Sequence, residues 1–282
     1  MDQSVDSTSS VVASDFSVDM GGGAVTAVTS TTASNLLSFT LSSPIAGGVL
    51  GLNYTPSGNG WMSNNGVQMG FSKWSIGDGS GNTIDRASET TARMVLMGNL
   101  GNDTLKGGAK SDLIVGGAGD DTLTGNGGGD IFRWGFGDTG TDILTDFNTS
   151  KSAAGAVGTA DRLDLRGLLS VSGLTETSLS TSLSNYLTLG QGGGAGAGAV
   201  AGTTLNDAVL KVDANSDGTV DQTIVLQSAW DINMASVKAN TVTGMTDVNG
   251  SPIGGSSAGV ANTPTSSQML QELLNRGQLL VL

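Results

Sequence analysis

Four aspartates recur at a spacing of nine residues: Asp103, Asp112, Asp121 and Asp130. Two residues after each comes a large apolar side chain, Leu105, Ile114, Leu123 and Phe132 in turn. Set in register, residues 98–133 read GNLGNDTLK, GGAKSDLIV, GGAGDDTLT and GNGGGDIFR. Gly98, Gly107, Gly116 and Gly125 open the blocks. Gly101, Gly119 and Gly128 hold the fourth position of three of them, and Lys110 takes it in the second. Carboxylates repeated on a glycine-rich backbone suit hard cations, since Ca2+ takes roughly 6–8 oxygen ligands from carboxylates and carbonyls.

Such ligands converge only if the chain places them in stacked turns. The Gly/Asp half of each block reads as a turn, where glycine takes φ values closed to other residues. The half around the apolar residue reads as a short strand with one inward side chain. Two blocks then make one coil, and the turn of each block lies over the turn of the next but one. Asp103 is expected near Asp121, and Asp112 near Asp130. Stacked carboxylates repel unless a cation lies between them, and the turn carbonyls supply further oxygens. Four blocks predict one complete site on each edge, with partial sites at the ends. Lys110 either weakens one of these sites or points outward. Asp120, in the variable fifth position, adds negative field beside Asp121.

This nonapeptide period resembles the RTX (repeats-in-toxin) calcium-binding family. The resemblance extends downstream through Asp130, Phe132 and Trp134, then Gly140–Thr141–Asp142, Asp146–Phe147, and Asp161 through Leu165. Together these are similar to the C-terminal target domain of RTX proteins exported by type I secretion, and they span about 98–230. The resemblance implies Ca2+ as the cofactor and a type I ABC transporter as the export partner. It also implies a chain that folds outside a bacterial cell, as in large surface adhesins. From the residues alone, Asp142, Asp146, Asp161 and Asp164 are equally placed to ligate further Ca2+ or to cap turns.

Composition narrows the chemistry. The 282 residues carry a net charge of −13, so nucleic acid and anionic membranes are poor partners. Of 25 acidic residues only Glu89, Glu176 and Glu272 are glutamate; the rest are aspartate, the acid of turns and metal loops. With no Cys and no His, disulfides, Cys/His metal sites and His-dependent catalysis are all excluded. The GSSAG at 255–259 matches a nucleophile-elbow pattern but sits in a Ser/Gly run, so no enzyme is expected. The first 20 residues have no basic n-region and no apolar core, so no Sec signal is expected.

A second cation loop is expected at 213–221, DANSDGTVD. Asp213, Asn215, Asp217 and Asp221 occupy positions 1, 3, 5 and 9 of an EF-hand-like loop, with Gly218 at position 6. Ile224 stands where an EF-hand has its bidentate Glu, and the flanks AVLKV and TIVLQ read as strands. The alternative is an Asp/Asn-rich hairpin turn.

The expected fold is all-β: a parallel β-roll flanked by β-sandwich-like strands, with a short C-terminal helix. The expected segments are an N-terminal β domain at 1–92, the roll at 93–133, a β-rich target domain at 134–250, and a linker with secretion-signal tail at 251–282. In the tail, Ser266 or Ser267 is expected to cap a helix over about 266–276, and Gly277 to stop it. In 1–92, strand-like runs surround GDGSGNTIDRASE at 77–89, where Asp78 and Asp85 suit a turn or a cation. Trp61 and Trp74 suit core packing better than sugar stacking. The leading functional expectation is the export and folding module of a calcium-binding adhesin. The alternative is an S-layer or matrix protein that uses the roll as an assembly element.

Overall fold

The computed structural model describes residues 13–21, 23–31, 36–45, 48–55, 73–148, 160–169, 183–193, 200–229 and 266–281. Trp61 and the GSSAG segment lie outside them, as does the VQMGF part of one strand-like run.

Two sheets form the body. In spatial order the first holds β1 (Phe16–Met20), β4 (Leu50–Tyr54), β5 (Lys73–Ile76), β7 (Met94–Leu100), β9 (Leu113–Ala118), β11 (Ile131–Arg133), β13 (Arg162–Asp164) and β17 (Leu279–Leu280). The second holds β14 (Leu187–Gln191), β15 (Ala208–Val212), β16 (Gln222–Leu226), β12 (Gly140–Leu144), β10 (Thr122–Thr124), β8 (Thr104–Lys106) and β6 (Thr83–Asp85). A separate hairpin pairs β2 (Val25–Thr31) with β3 (Leu36–Leu41). The chain alternates between the two sheets, so consecutive repeat strands lie in opposite sheets and pair in parallel with the next but one. This is the parallel β-roll that the period predicts.

The apolar eighth position of each block builds the core. In one sheet Ile84, Leu105, Leu123, Leu144 and Leu226 are register partners in sequence. In the other, Leu96, Ile114, Phe132, Leu163 and Leu279 form the matching column. All ten are buried. The two facing columns, nine aliphatic side chains and Phe132, fill the space between the sheets, so a chain with 4% aromatic residues can still close a core. Within this core Trp134 is the largest side chain under 2% exposed.

Both ends of the parallel body are closed by antiparallel strands. Sheet one continues through β5–β4–β1, and sheet two through β16–β15–β14. The helix α1 (Ser266–Asn275) packs on β14 and β17 and adds Leu270 and Leu273 to the core. Gly277 ends it at φ +66°: its N–H donates to the Leu274 carbonyl, and the Gln278 N–H donates to the Leu273 carbonyl. At the opposite end Trp74 packs on Leu52 and Tyr54, with ring centroids of Trp74 and Tyr54 6.3 Å apart. Neither sheet breaks at residue 92 or 133: β5 and β6 pair in parallel with β7 and β8, and β12, β13, β16 and β17 continue the parallel strands beyond the four blocks. Among the described residues no helix is long and apolar enough to cross a membrane.

Candidate metal centre

Each turn of a repeat ends in its aspartate, and the strand pairing stacks these aspartates in two rows. On one edge the backbone N–H of Asn82 donates to Asp103 Oδ1 at 2.6 Å, that of Asp103 to Asp121 Oδ1 at 2.8 Å, and that of Asp121 to Asp142 Oδ1 at 2.9 Å. On the other edge the N–H of Met94 donates to Asp112 Oδ1 at 2.8 Å, that of Asp112 to Asp130 Oδ1 at 2.7 Å, and that of Asp130 to Asp161 Oδ1 at 2.8 Å. One oxygen of every carboxylate is therefore structural. It ties each coil to its neighbour.

The second oxygens differ. Oδ2 of Asp103, Asp121 and Asp130 is buried with no hydrogen-bond partner. Asp112 Oδ2 accepts the Gly108 N–H at 2.7 Å. Asp161 Oδ2 accepts the Asn148 N–H at 2.7 Å. Asp142 Oδ2 accepts both Trp134 Nε1–H at 2.6 Å and Gln222 Nε2–H at 2.8 Å. A buried carboxylate oxygen without a partner is costly, and three such atoms in equivalent positions suit a cation as their partner.

The opening glycines fit the same picture. A Cβ on Gly116 would lie 2.2 Å from Asp121 Oδ2, and one on Gly98 would lie 2.2 Å from Asp103 Oδ2 and 2.5 Å from the Gly116 carbonyl oxygen. Gly125 stands in the same relation to Asp130 Oδ2, and Gly107 to Asp112 Oδ2 and the Gly125 carbonyl. Carboxylate and carbonyl oxygens thus crowd the space that only glycine leaves open. Among the described residues no three carboxylates form a group able to hold a metal, so backbone carbonyls must complete any coordination shell. The residues present fit Ca2+ on these terms.

Lys110 marks a different turn. Gly101, Gly119 and Gly128, at the fourth position of the other blocks, have φ of +106°, +138° and +111°, whereas Lys110 is not left-handed. Its side chain points outward, and the turn closes on itself through the Gly108 N–H to Asp112.

Burial dominates the electrostatics. It raises the carboxyl groups of Asp103 and Asp112, and pushes Asp121 and Asp161 up to about 6 and Asp130 and Asp142 up to about 8. Neighbouring carboxylates add to this, with Asp103 and Asp138 acting on Asp121, and Asp161 and Asp112 on Asp130. A cation would reverse both effects.

Several members of the rows are not in the four-block pattern. Residues 137–145, GDTGTDILT, form a fifth block with glycine at positions one and four, Asp142 at six and Leu144 at eight. Gly140 has the left-handed φ of its counterparts, +124°. Three inserted residues, 134–136, shift it out of the period. Residues 77–85, GDGSGNTID, form a block before the first, with Asn82 in the aspartate position. There Asp78 accepts the Ser80 N–H and hydroxyl and the Asn82 side-chain amide, so this turn closes without a cation. Asp85 accepts the Ala87 N–H and pairs with Lys106. Both rows end on a buried glutamine. Gln222 donates to Asp142, and Gln278 donates to the carbonyls of Asn148 and Asp161.

Of the four downstream candidates, only Asp142 and Asp161 join the rows. Asp146 caps the turn at Gly125 and Asn126. Burial would raise the carboxyl of Asp164, but Arg166 and Arg133 outweigh it and hold the group low. The loop at 213–221 does lie in a β-hairpin, between β15 and β16. Its polar side chains satisfy the backbone: Asp213 accepts from Asp217 and Gly218, Asn215 from Asp217, Asp217 from Thr219, and Asp221 from Ala214. No buried oxygen there lacks a partner.

Residues 97–132 match the family of RTX calcium-binding nonapeptide repeats, in four copies. No curated protein matches the chain. Among solved structures it is similar to the solution structure of the AlgE6R3 subunit from the Azotobacter vinelandii mannuronan C5-epimerase. The identity is 23% and the TM-score 0.36, over 66% of this chain and 92% of that one. The matched segment is a calcium-binding RTX repeat, and Ca2+ is its cofactor.

Proposed function

We propose that this chain is a calcium-folded export module of a bacterial surface adhesin. In this reading it leaves the cell through a type I transporter and closes into its roll outside. The observation that carries the calcium part is the set of buried, partnerless Oδ2 atoms on Asp103, Asp121 and Asp130. The export part rests on the resemblance of the segments from Asp130 to Leu165 to type I target domains, and no catalytic role is assigned.

Asp103, Asp121 and Asp130 would hold Ca2+ through Oδ2, with carbonyls from the turns opened by Gly98, Gly107, Gly116 and Gly125. Bound Ca2+ supplies the positive charge that lets buried carboxylates stay ionised. Without it, each closed row must either hold ionised aspartates one strand apart in a dry interior or take up protons, and the open chain is favoured. Extracellular calcium modules bind with dissociation constants of roughly 0.1–1 mM, so such a chain stays open in the cytosol and folds outside. Asp213, Asn215, Asp217 and Asp221 form a separate, exposed candidate loop whose occupation is not needed to close the roll.

Far-UV circular dichroism of the purified chain in EGTA and in millimolar Ca2+ tests this reading. A gain of β-signal on adding Ca2+ is expected. An identical folded spectrum in both would overturn it.

A further inference from the structure

One edge of the roll carries two arginines, an exposed aromatic ring and an acidic hairpin side by side. β11 runs into β12 through residues 134–139, and this turn holds Phe136, 75% exposed. On the sheet-one side, β13 lies beside β11 with Asp164 in register with Arg133, and Arg166 follows two residues on. A Cβ on Gly167 would lie 2.7 Å from the Trp134 carbonyl oxygen and 3.1 Å from Gly135 Cα, so the Arg166–Gly167 turn abuts the turn of Phe136. On the sheet-two side, β16 lies beside β12 with Gln222 in register with Gly140. The hairpin tip at 213–221, which leads into β16, therefore stands at the same edge, with Asp217 and Val220 exposed.

The arginines exceed what Asp164 needs. Asp164 is 2% exposed, and Arg166 alone engages both of its oxygens: Nε–H donates to Oδ1 and Nη2–H to Oδ2, each at 2.8 Å. Arg133 adds Nε–H to Oδ2 at 2.9 Å, and among the described residues its Nη1 and Nη2 meet no acceptor. Its guanidinium is thus oriented by a buried carboxylate, with one positive charge left over. The hairpin shows the converse. Asp217 accepts from the Thr219 N–H and the Asn215 amide and has no cationic partner among the described residues. With Asp213 and Asp221 it makes three aspartates, so the hairpin stays negative even with one Ca2+ bound.

We propose that this edge is where two copies of the chain meet, about a two-fold axis through the Phe136 turns. The basic group lies on the sheet-one side of Phe136 and the acidic hairpin on the sheet-two side. A half-turn therefore sets Arg133 of each copy against the partner's Asp217 and covers the exposed Phe136 and Val220 between them. One patch serves both copies, the self-complementary arrangement of a closed dimer. The net charge of −13 opposes pairing at long range, but at physiological salt exposed charges are screened beyond about 8 Å, and the opposed pairs act within that distance. The contact rests on the calcium-folded roll described above and adds a partner to it.

Sedimentation equilibrium of the full chain in millimolar Ca2+ and about 0.15 M salt, over a range of protein concentration, tests this. The weight-average mass is expected to climb toward twice the monomer's and stop there. Arg133→Glu leaves Asp164 paired with Arg166 and sets a like charge against the hairpin, so association is expected to weaken at least ~10-fold, the scale of one close charge pair. Asp217→Lys is expected to do the same, and an equimolar mixture of the two variants to restore association, since each position then faces an opposite charge. Phe136→Ala, at an exposed position, is expected to weaken association with unchanged β-signal. A monomer at every concentration overturns the proposal, as does a mass that grows past the dimer or a mixture that stays monomeric. Circular dichroism of the same samples separates the two readings. A folded monomer overturns only the dimer, whereas a chain with no β-signal in Ca2+ overturns the calcium-folding reading as well.

Discussion

Asp121 divides its two carboxylate oxygens between two tasks. Oδ1 accepts the backbone N–H of Asp103 at 2.8 Å and holds two coils in register, while Oδ2 is buried beside Gly116 with no partner. Asp112, one block earlier, has the same Oδ1 contact but spends Oδ2 on the Gly108 N–H. Two aspartates in the same sequence position are thus not equivalent.

The asymmetry predicts unequal effects of neutralisation. Asp121→Asn keeps the Oδ1 hydrogen bond and removes the charge, so calcium affinity is expected to fall by roughly 10–100-fold, or about 1.4–3 kcal/mol. Asp112→Asn is expected to cost less, because its Oδ2 is already engaged by a backbone donor. Calcium titrations of the two variants followed by circular dichroism check this; equal losses would contradict the assignment.

Gly116→Ala places a methyl group 2.2 Å from Asp121 Oδ2, and the carboxylate that must shift is the one whose Oδ1 holds the Asp103 N–H. The expected cost is about 1–3 kcal/mol, typical of overpacking, with a matching fall in Tm in calcium. Gly190→Ala, where a Cβ meets nothing within 4 Å, is expected to be near neutral. Thermal melts of both in millimolar Ca2+ make the comparison.

Calcium-free protein should become less structured as pH rises. The carboxyls of Asp121 and Asp161 sit at about 6, and those of Asp130 and Asp142 at about 8, against an ordinary value of 3.8. A folded pKa above the unfolded one means that the fold favours the protonated form. The penalty is absent below the ordinary value, grows as pH passes through the raised values, and is complete above about 8. In EGTA, more β-signal is therefore expected at pH 5 than at pH 8.5. In calcium the trend should reverse at the acid end, because protons compete with the cation.

Trp134 anchors one end of a row without a cation. Its Nε1–H and the Gln222 amide satisfy Asp142 Oδ2 together. Trp134→Phe keeps much of the apolar bulk and removes one donor to a buried carboxylate, at an expected cost of about 1–3 kcal/mol. Because this contact involves no cation, denaturant melts at saturating Ca2+ should still show the loss.

The regular part of the device was legible because it is local. Gly98 to Phe132 repeat every nine residues, so the turns, the inward Leu105, Ile114, Leu123 and Phe132, and the stacking of Asp103 on Asp121 all follow from spacing. The stop at Gly277 and the hairpin around Asp213–Asp221 were legible for the same reason, since each is set by a few neighbouring residues. The limits of the rows were not. Asp142 stacks 21 residues beyond Asp121, and Asp161 stacks 31 beyond Asp130, because inserted loops leave the periodic frame while the strands remain in register.

The sequence by itself determined that this chain makes an aspartate-lined roll suited to Ca2+. The tertiary structure alone decided which oxygens are left for a cation, since that depends on whether a donor such as Gly108, Trp134 or Gln222 comes within hydrogen-bond reach. It also decided that the last strand closes the first sheet. Leu279 pairs with Leu163 across 116 residues, a contact fixed by the apolar column it completes and by no local pattern.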